Sequence, residues 1–144
     1  MTDINNIYIL FPTEISYKKY LYNIRLTKTN SCPYCYSNRI TLYESIFHCN
    51  LCNSKFSITT NTIMHKSRID YRKWLISIYL FIFDENISYR KLSKIINVNK
   101  NTAHSILKKL IYLYSNFKID IIKLTNTTLS NEEILSNILL LRIK

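Results

Sequence analysis

Apolar residues recur at helical spacing through the middle of the chain. In "DYRKWLISIYLFIFD" (70–84), Trp74, Leu75, Ile78, Tyr79, Ile82 and Phe83 form a double stripe at i, i+4, i+8, which predicts an amphipathic helix. Asp70 is placed to cap its N-terminus. The following "ENISYRKLSKIINVNKNTAHSILKKLIYLYSN" predicts two more helices. One runs from a Ser88 cap to about Ile96 and buries Leu92 and Ile95. The other begins near Asn101 and buries Ala103, Ile106, Leu107, Leu110 and Leu113. Between them "NVNKN" is a turn, with Asn97 standing where a turn glycine would. Upstream, "RITLY" and "SIFH" fit two short strands around a turn at Glu44–Ser45. Near the C-terminus, Ser130 and Glu133 match a capping box ahead of Ile134, Leu135, Ile138 and Leu141, so a last helix is expected to pack on the three-helix unit. The alternative role for that helix is self-association.

The two strands lie between two cysteine pairs. Cys32 and Cys35 are two residues apart, as are Cys49 and Cys52, with thirteen residues between the pairs. A C-x2-C turn aims two sulfurs at one point, and two such turns facing each other complete a tetrahedron. The spacing predicts a four-cysteine zinc ribbon on short β-hairpins. Four protein ligands leave no open coordination position, so one structural Zn2+ is expected. A thioredoxin-like redox pair would need a βαβ context and leaves the second pair unexplained. An iron–sulfur cluster also accepts four cysteines, but hairpin-borne pairs favour zinc. His48, beside Cys49, should point away from the metal. The residues after each pair, Tyr36 and Asn53, occupy positions where ribbons often carry glycine; Asn tolerates the left-handed conformation better than Tyr. A ribbon this small has too little core to fold without its ion.

Composition sharpens this picture. The 144 residues contain no glycine, so asparagine must serve many left-handed positions. Twenty Lys/Arg against nine Asp/Glu give a formal net charge of +11. Residues 1–69 and 70–115 each hold eight basic and three acidic residues, and 116–144 only four against three. Four thiolates and a divalent metal would leave about +9. Such a field attracts polyanions, nucleic acid first. The opening "MTDINNIYIL" lacks the basic region of a signal peptide. The longest apolar run, "LISIYLFIF", is far short of the ~20 residues of a membrane span. An intracellular location is expected, the nucleus in a eukaryote and otherwise the cytoplasm or nucleoid, with no membrane partner.

Three helices with a short turn between the last two make a helix-turn-helix pattern. The polar face of the last helix carries Asn101, His104, Ser105 and Lys108. Asn suits bidentate contact with adenine, and Ser, His and Lys reach bases or phosphate. Lys100 and Lys109 flank the stripe and suit phosphate.

The chain resembles the N-terminal DNA-binding region of Merlin-type and ISXO-like DDE transposases. Their lead-in, "FP(T/D)EE…YL…R" before "CP.CGS", is matched by Phe11, Pro12, Glu14, Tyr20, Leu21 and Arg25, then Cys32, Pro33, Cys35 and Ser37. Their sequel, "C..C…FS.TTGTIF..S…RKW…IYLF", is matched from Cys49 and Cys52 through Phe56, Ser57, Thr59, Thr60, Thr62, Ile63 and Ser67 to Arg72, Lys73, Trp74 and Ile78–Phe81. Thr102 and Ala103 match a recurrent "TA" pair. The resemblance spans roughly residues 10–115. It implies binding to double-stranded DNA at terminal inverted repeats, through ribbon and helix-turn-helix together. Thr102, Arg72 and Lys73 are further candidate DNA contacts.

The family continues into an RNase H-like domain whose carboxylates hold two metal ions. Here about 29 residues follow, in which Asp120 of "FKIDIIKL" echoes the first catalytic strand but alone holds no metal pair. The expectation is a non-enzymatic, transposase-derived protein, with a homodimer as its candidate assembly. Its expected fold is small α+β: a helical lead-in (1–30), a zinc ribbon (31–68), a helix-turn-helix (69–115) and a C-terminal tail (116–144). The alternative function is a zinc-ribbon interaction module attached to transcription machinery or RNA.

Overall fold

In the computed structural model, which describes residues 4–27, 31–84 and 86–143, helix α3 (Tyr71–Phe83) is the element the others surround. It touches α1 (Ile4–Leu10), α2 (Glu14–Thr27), α4 (Tyr89–Ile96), α5 (Lys100–Asn116) and α7 (Asn131–Leu139). The double stripe predicts one buried side. Instead Trp74 through Tyr79 are buried without interruption, and Phe81 with them, while Phe83 is 70% exposed. Partners on several sides bury a helix all round, where a surface helix keeps a polar face. Ser77, caught inside, satisfies its hydroxyl by donating to Lys73 O at 2.7 Å.

The start of α3 is held twice. Asp70 caps it, its Oδ1 accepting from Arg72 N at 2.8 Å. Arg72 then reaches back: Nη2 meets Asp70 Oδ2 at 2.7 Å, and Nη1 donates to Phe11 O and Pro12 O in the α1–α2 connection. Partial burial alone would raise the Asp70 carboxyl, but the hydrogen bonds and charge of Arg72 hold it below its ordinary range.

Downstream the local chemistry follows the sequence closely. Ser88 caps α4 through Lys91 N. Asn97 ends that helix in the left-handed region (φ 56°, ψ 59°). Asn99 caps α5, whose first residue is Lys100, by accepting from Thr102 N at 2.7 Å. Only three residues, 97–99, therefore separate α4 from α5. All five residues expected to be buried on α5 are buried. On α4, Leu92 and Ile96 are the deep positions and Ile95 is half-buried.

A three-stranded antiparallel sheet, β1 (Ile40–Tyr43), β2 (Ile46–Cys49) and β3 (Lys55–Phe56), lies beside α2. Glu44 and Ser45 both have positive φ, as a two-residue hairpin turn requires. Phe47 stacks on Phe56 at 5.3 Å and meets Tyr22 of α2 at 5.8 Å.

The C-terminal segment crosses the molecule. Helix α7, capped by Ser130 at Glu133 N, packs on α2 and α3, and its Ser136 hydroxyl meets the buried Tyr17 hydroxyl at 2.8 Å. Ile143 N then donates to Asn61 O at 2.7 Å. Asp120 lies on a helix, α6 (Lys118–Thr125), and not on a strand: only Ile121 of that helix is buried, against α5 and α7. Among the described residues no helix is long and apolar enough to cross a membrane.

These burials give a direct contrast. Ile76→Ala should lower the unfolding free energy in urea by ~2–5 kcal/mol. Phe83→Ala should change it by less than about 0.5 kcal/mol. Equal effects would mean that α3 is not surrounded.

Candidate metal centre and nucleic-acid interface

The two cysteine turns share one backbone pattern. In the first, Cys32 N donates to Ser37 O at 2.8 Å and Tyr36 N to Cys32 O at 3.0 Å. In the second, Cys49 N donates to Ser54 O at 2.9 Å and Asn53 N to Cys49 O at 3.0 Å. The fifth residue of each is left-handed, Tyr36 at φ 64° and Asn53 at φ 60°. Asparagine takes this conformation readily and tyrosine against its preference. The bend also turns backbone N–H groups toward sulfur: Tyr34 N lies 3.4 Å from Cys32 Sγ, and Cys52 N 3.5 Å from Cys49 Sγ.

All four sulfurs lie within 4.8 Å of one another. The close pairs each take one sulfur from each turn: Cys32–Cys52 at 3.7 Å and Cys35–Cys49 at 3.5 Å. A disulfide would bring two sulfurs to ~2.05 Å, and all four cysteines are free. Thiolates bound ~2.3 Å from one ion at tetrahedral corners stand about 3.8 Å apart. The cluster therefore has the geometry to hold one structural metal ion. His48 is outside it, with Nδ1 3.3 Å from Asn50 Oδ1.

Thiols this crowded cannot all ionise unless a cation sits among them. Hydrogen bonding with the Ser54 side chain and backbone brings the Cys52 pKa down to about 6. The Ser37 backbone N–H also pulls Cys35 down, but desolvation and the neighbouring sulfurs push it to about 12. A divalent ion removes the conflict, because it lets every sulfur carry its charge. Two buried or half-buried guanidiniums lie nearby. Arg142 donates to Ser31 Oγ at 2.9 Å; burial lowers its pKa, and the Cys32 sulfur works the other way by favouring the charged form. Arg25 donates to Ile58 O and Leu140 O, and burial with Arg142 nearby lowers it to about 9. A tetrathiolate site holding a divalent ion carries two negative charges, which suits this cationic surrounding.

The residues expected to meet DNA divide into two groups. Lys100, Asn101, His104, Ser105 and Lys108 are exposed on α5, opposite its buried face. Thr102 is half-buried. Lys109 is half-buried too, its Nζ 5.8 Å from the Trp74 ring centroid. Arg72 is engaged within the fold by Asp70 and two carbonyls, and Lys73 Nζ donates to Asn97 O at 3.2 Å. The arginine and the lysine expected to meet DNA near the start of α3 thus hold elements together. One signal present in the sequence went unread: residues 86–119 contain seven Lys/Arg and no Asp or Glu.

Comparison with family models, curated proteins and solved structures finds no match to this chain.

Metal analysis of protein purified under reducing conditions should find one divalent ion per chain, and Cys49→Ser should lose it. Because the ligating thiols must be deprotonated, binding is favoured at high pH and should be lost as pH falls. Arg142→Gln should speed transfer of the ion to a chelator without altering the stoichiometry. Full occupancy in Cys49→Ser would exclude a four-sulfur site.

Proposed function

We propose that this is a zinc-dependent, sequence-specific double-stranded DNA-binding protein, related to the DNA-binding region of a transposase. The metal turns and sheet form a zinc ribbon, and α3–α5 form a helix-turn-helix whose α5 enters the major groove. The observation that carries this reading is the exposed, acid-free face of α5, fixed by a three-residue turn and a fully buried opposite face. Asn101, His104 and Ser105 are the base-contacting candidates. Lys100, Lys108 and Lys109 suit phosphates, with Lys108 also in reach of base edges.

Zinc is favoured over other ions because four cysteines on paired turns match its tetrahedral sulfur preference. Two backbone features support the likeness to Merlin-type and ISXO-like transposases. The glycines of "CP.CGS" and "TTGTIF" fall at Tyr36 and Asn61, and both residues are left-handed here, at φ 64° in each case. A protein without glycine keeps the backbone those positions demand. The natural target would be a terminal inverted repeat.

A second reading has its own observation. Tyr43 and Ile46, paired across the hairpin, are exposed near His48 and Lys55. Such a surface suits docking to RNA or to a transcription complex.

Duplexes selected from a random library separate these readings. Wild-type affinity should fall steeply with salt. Asn101→Ala should weaken discrimination at one base pair by ~1–3 kcal/mol. Lys108→Ala should weaken binding to all duplexes. Unchanged duplex affinity in Lys108→Ala, or no duplex binding by wild type, favours the docking module.

A further inference from the structure

Asn101, Ser105, Lys108 and Tyr112 follow one another at i, i+4, i+7 and i+11, so they lie on one face of α5. At the Tyr112 end this face runs into a cleft of about 350 Å³. Lys108, Lys109 and Tyr112 form one wall, and Asn61, His65 and Ile143 contribute to the other. Among the described residues no carboxylate lines it. The far wall is pinned: Asn61 is left-handed, its carbonyl accepts from Ile143 N, and Thr62 Oγ1 bridges Thr59 O and Met64 N. His65 and Lys108 are exposed, and Tyr112 is 49% exposed.

We infer that this cleft seats one phosphodiester and its sugar from the DNA strand bordering the groove that α5 reads. Resting on the DNA-binding reading of α5, it adds His65, Asn61 and Tyr112 to the contacts. Three residue types explain the choice of ligand. Lys108, Lys109 and His65 offer donors to an anion, and among the described residues no acid faces them. Asn61 offers an amide. The Tyr112 ring and Ile143 give an apolar face suited to a sugar. The spacing agrees as well. From Asn101 to Tyr112 the helix advances about 16 Å, more than the ~12 Å width of the major groove. With its N-terminal residues at base edges, as in helix-turn-helix docking, the far end of the stripe meets the backbone.

The test measures binding of the selected duplex as a function of salt, using full-length metal-loaded protein. His65→Glu puts an anion into the cleft, and Tyr112→Ala removes the sugar's platform. Thr125→Glu adds the same single charge on α6, outside the cleft. His65→Glu should weaken binding about tenfold and flatten the salt slope by about one phosphate's worth. Tyr112→Ala should weaken it severalfold, and Thr125→Glu much less than His65→Glu. A methylphosphonate at the seated position should weaken wild-type binding but have little further effect in His65→Glu. The inference is overturned if His65→Glu and Tyr112→Ala bind as wild type, or if Thr125→Glu matches His65→Glu. In either case Asn101→Ala still reports on α5 itself. Duplex binding absent from wild type would remove both readings together.

Discussion

Four sulfurs have to meet at one point, and they come from two turns separated by a hairpin. Everything in residues 31–56 is arranged around that requirement. The paired β1 and β2 bring Cys49 opposite Ile40, so the second turn begins where the first has just ended. The backbone of each turn bends through a left-handed residue, without glycine to ease it. Apolar support for the sheet is small: Phe47, Phe56 and the facing ring of Tyr22. So small a core stabilises little by itself. A bound ion would supply the missing cohesion, since ligands gathered in the folded state convert binding free energy into folding free energy.

The cysteine turns are also tied to the helices, and this determines what α5 can present. Arg142 and Ile143, just beyond α7, bond to Ser31 and Asn61 on the cysteine-rich half. Trp74 Nε1 donates to Ser67 Oγ at 3.0 Å, while Lys109 of α5 lies over the same indole. Lys73 reaches the Asn97 carbonyl in the α4–α5 turn. Side chains that a sequence reading assigns to phosphate thus serve partly as internal links. The consequence is a fixed position for α5 relative to the cluster.

What the sequence disclosed was mostly local. The caps Asp70, Ser88 and Ser130, the left-handed Asn97, the hairpin turn and the buried stripe of α5 depend on near neighbours, and each is found where expected. The cysteine cluster was legible for a related reason: ligand spacing encodes convergence directly. Burial of α3 on several sides was not legible, because it depends on helices far off along the chain. Helix α6 has one buried residue and hence little periodicity to read. The roles of Arg72 and Lys73 were hidden because a basic residue announces its charge and not its partner. The cleft beside Tyr112 joins Asn61 and His65 to Lys108 and Lys109 and to Ile143, which only the fold brings together.

The sulfur cluster is the premise on which the rest stands, and X-ray absorption at the metal edge examines it without reference to any activity. The expected spectrum of the zinc-loaded protein fits a single shell of four sulfurs at ~2.3 Å. A shell containing nitrogen or oxygen in place of one or more sulfurs, or cysteines found paired as disulfides under reducing conditions, would contradict the account.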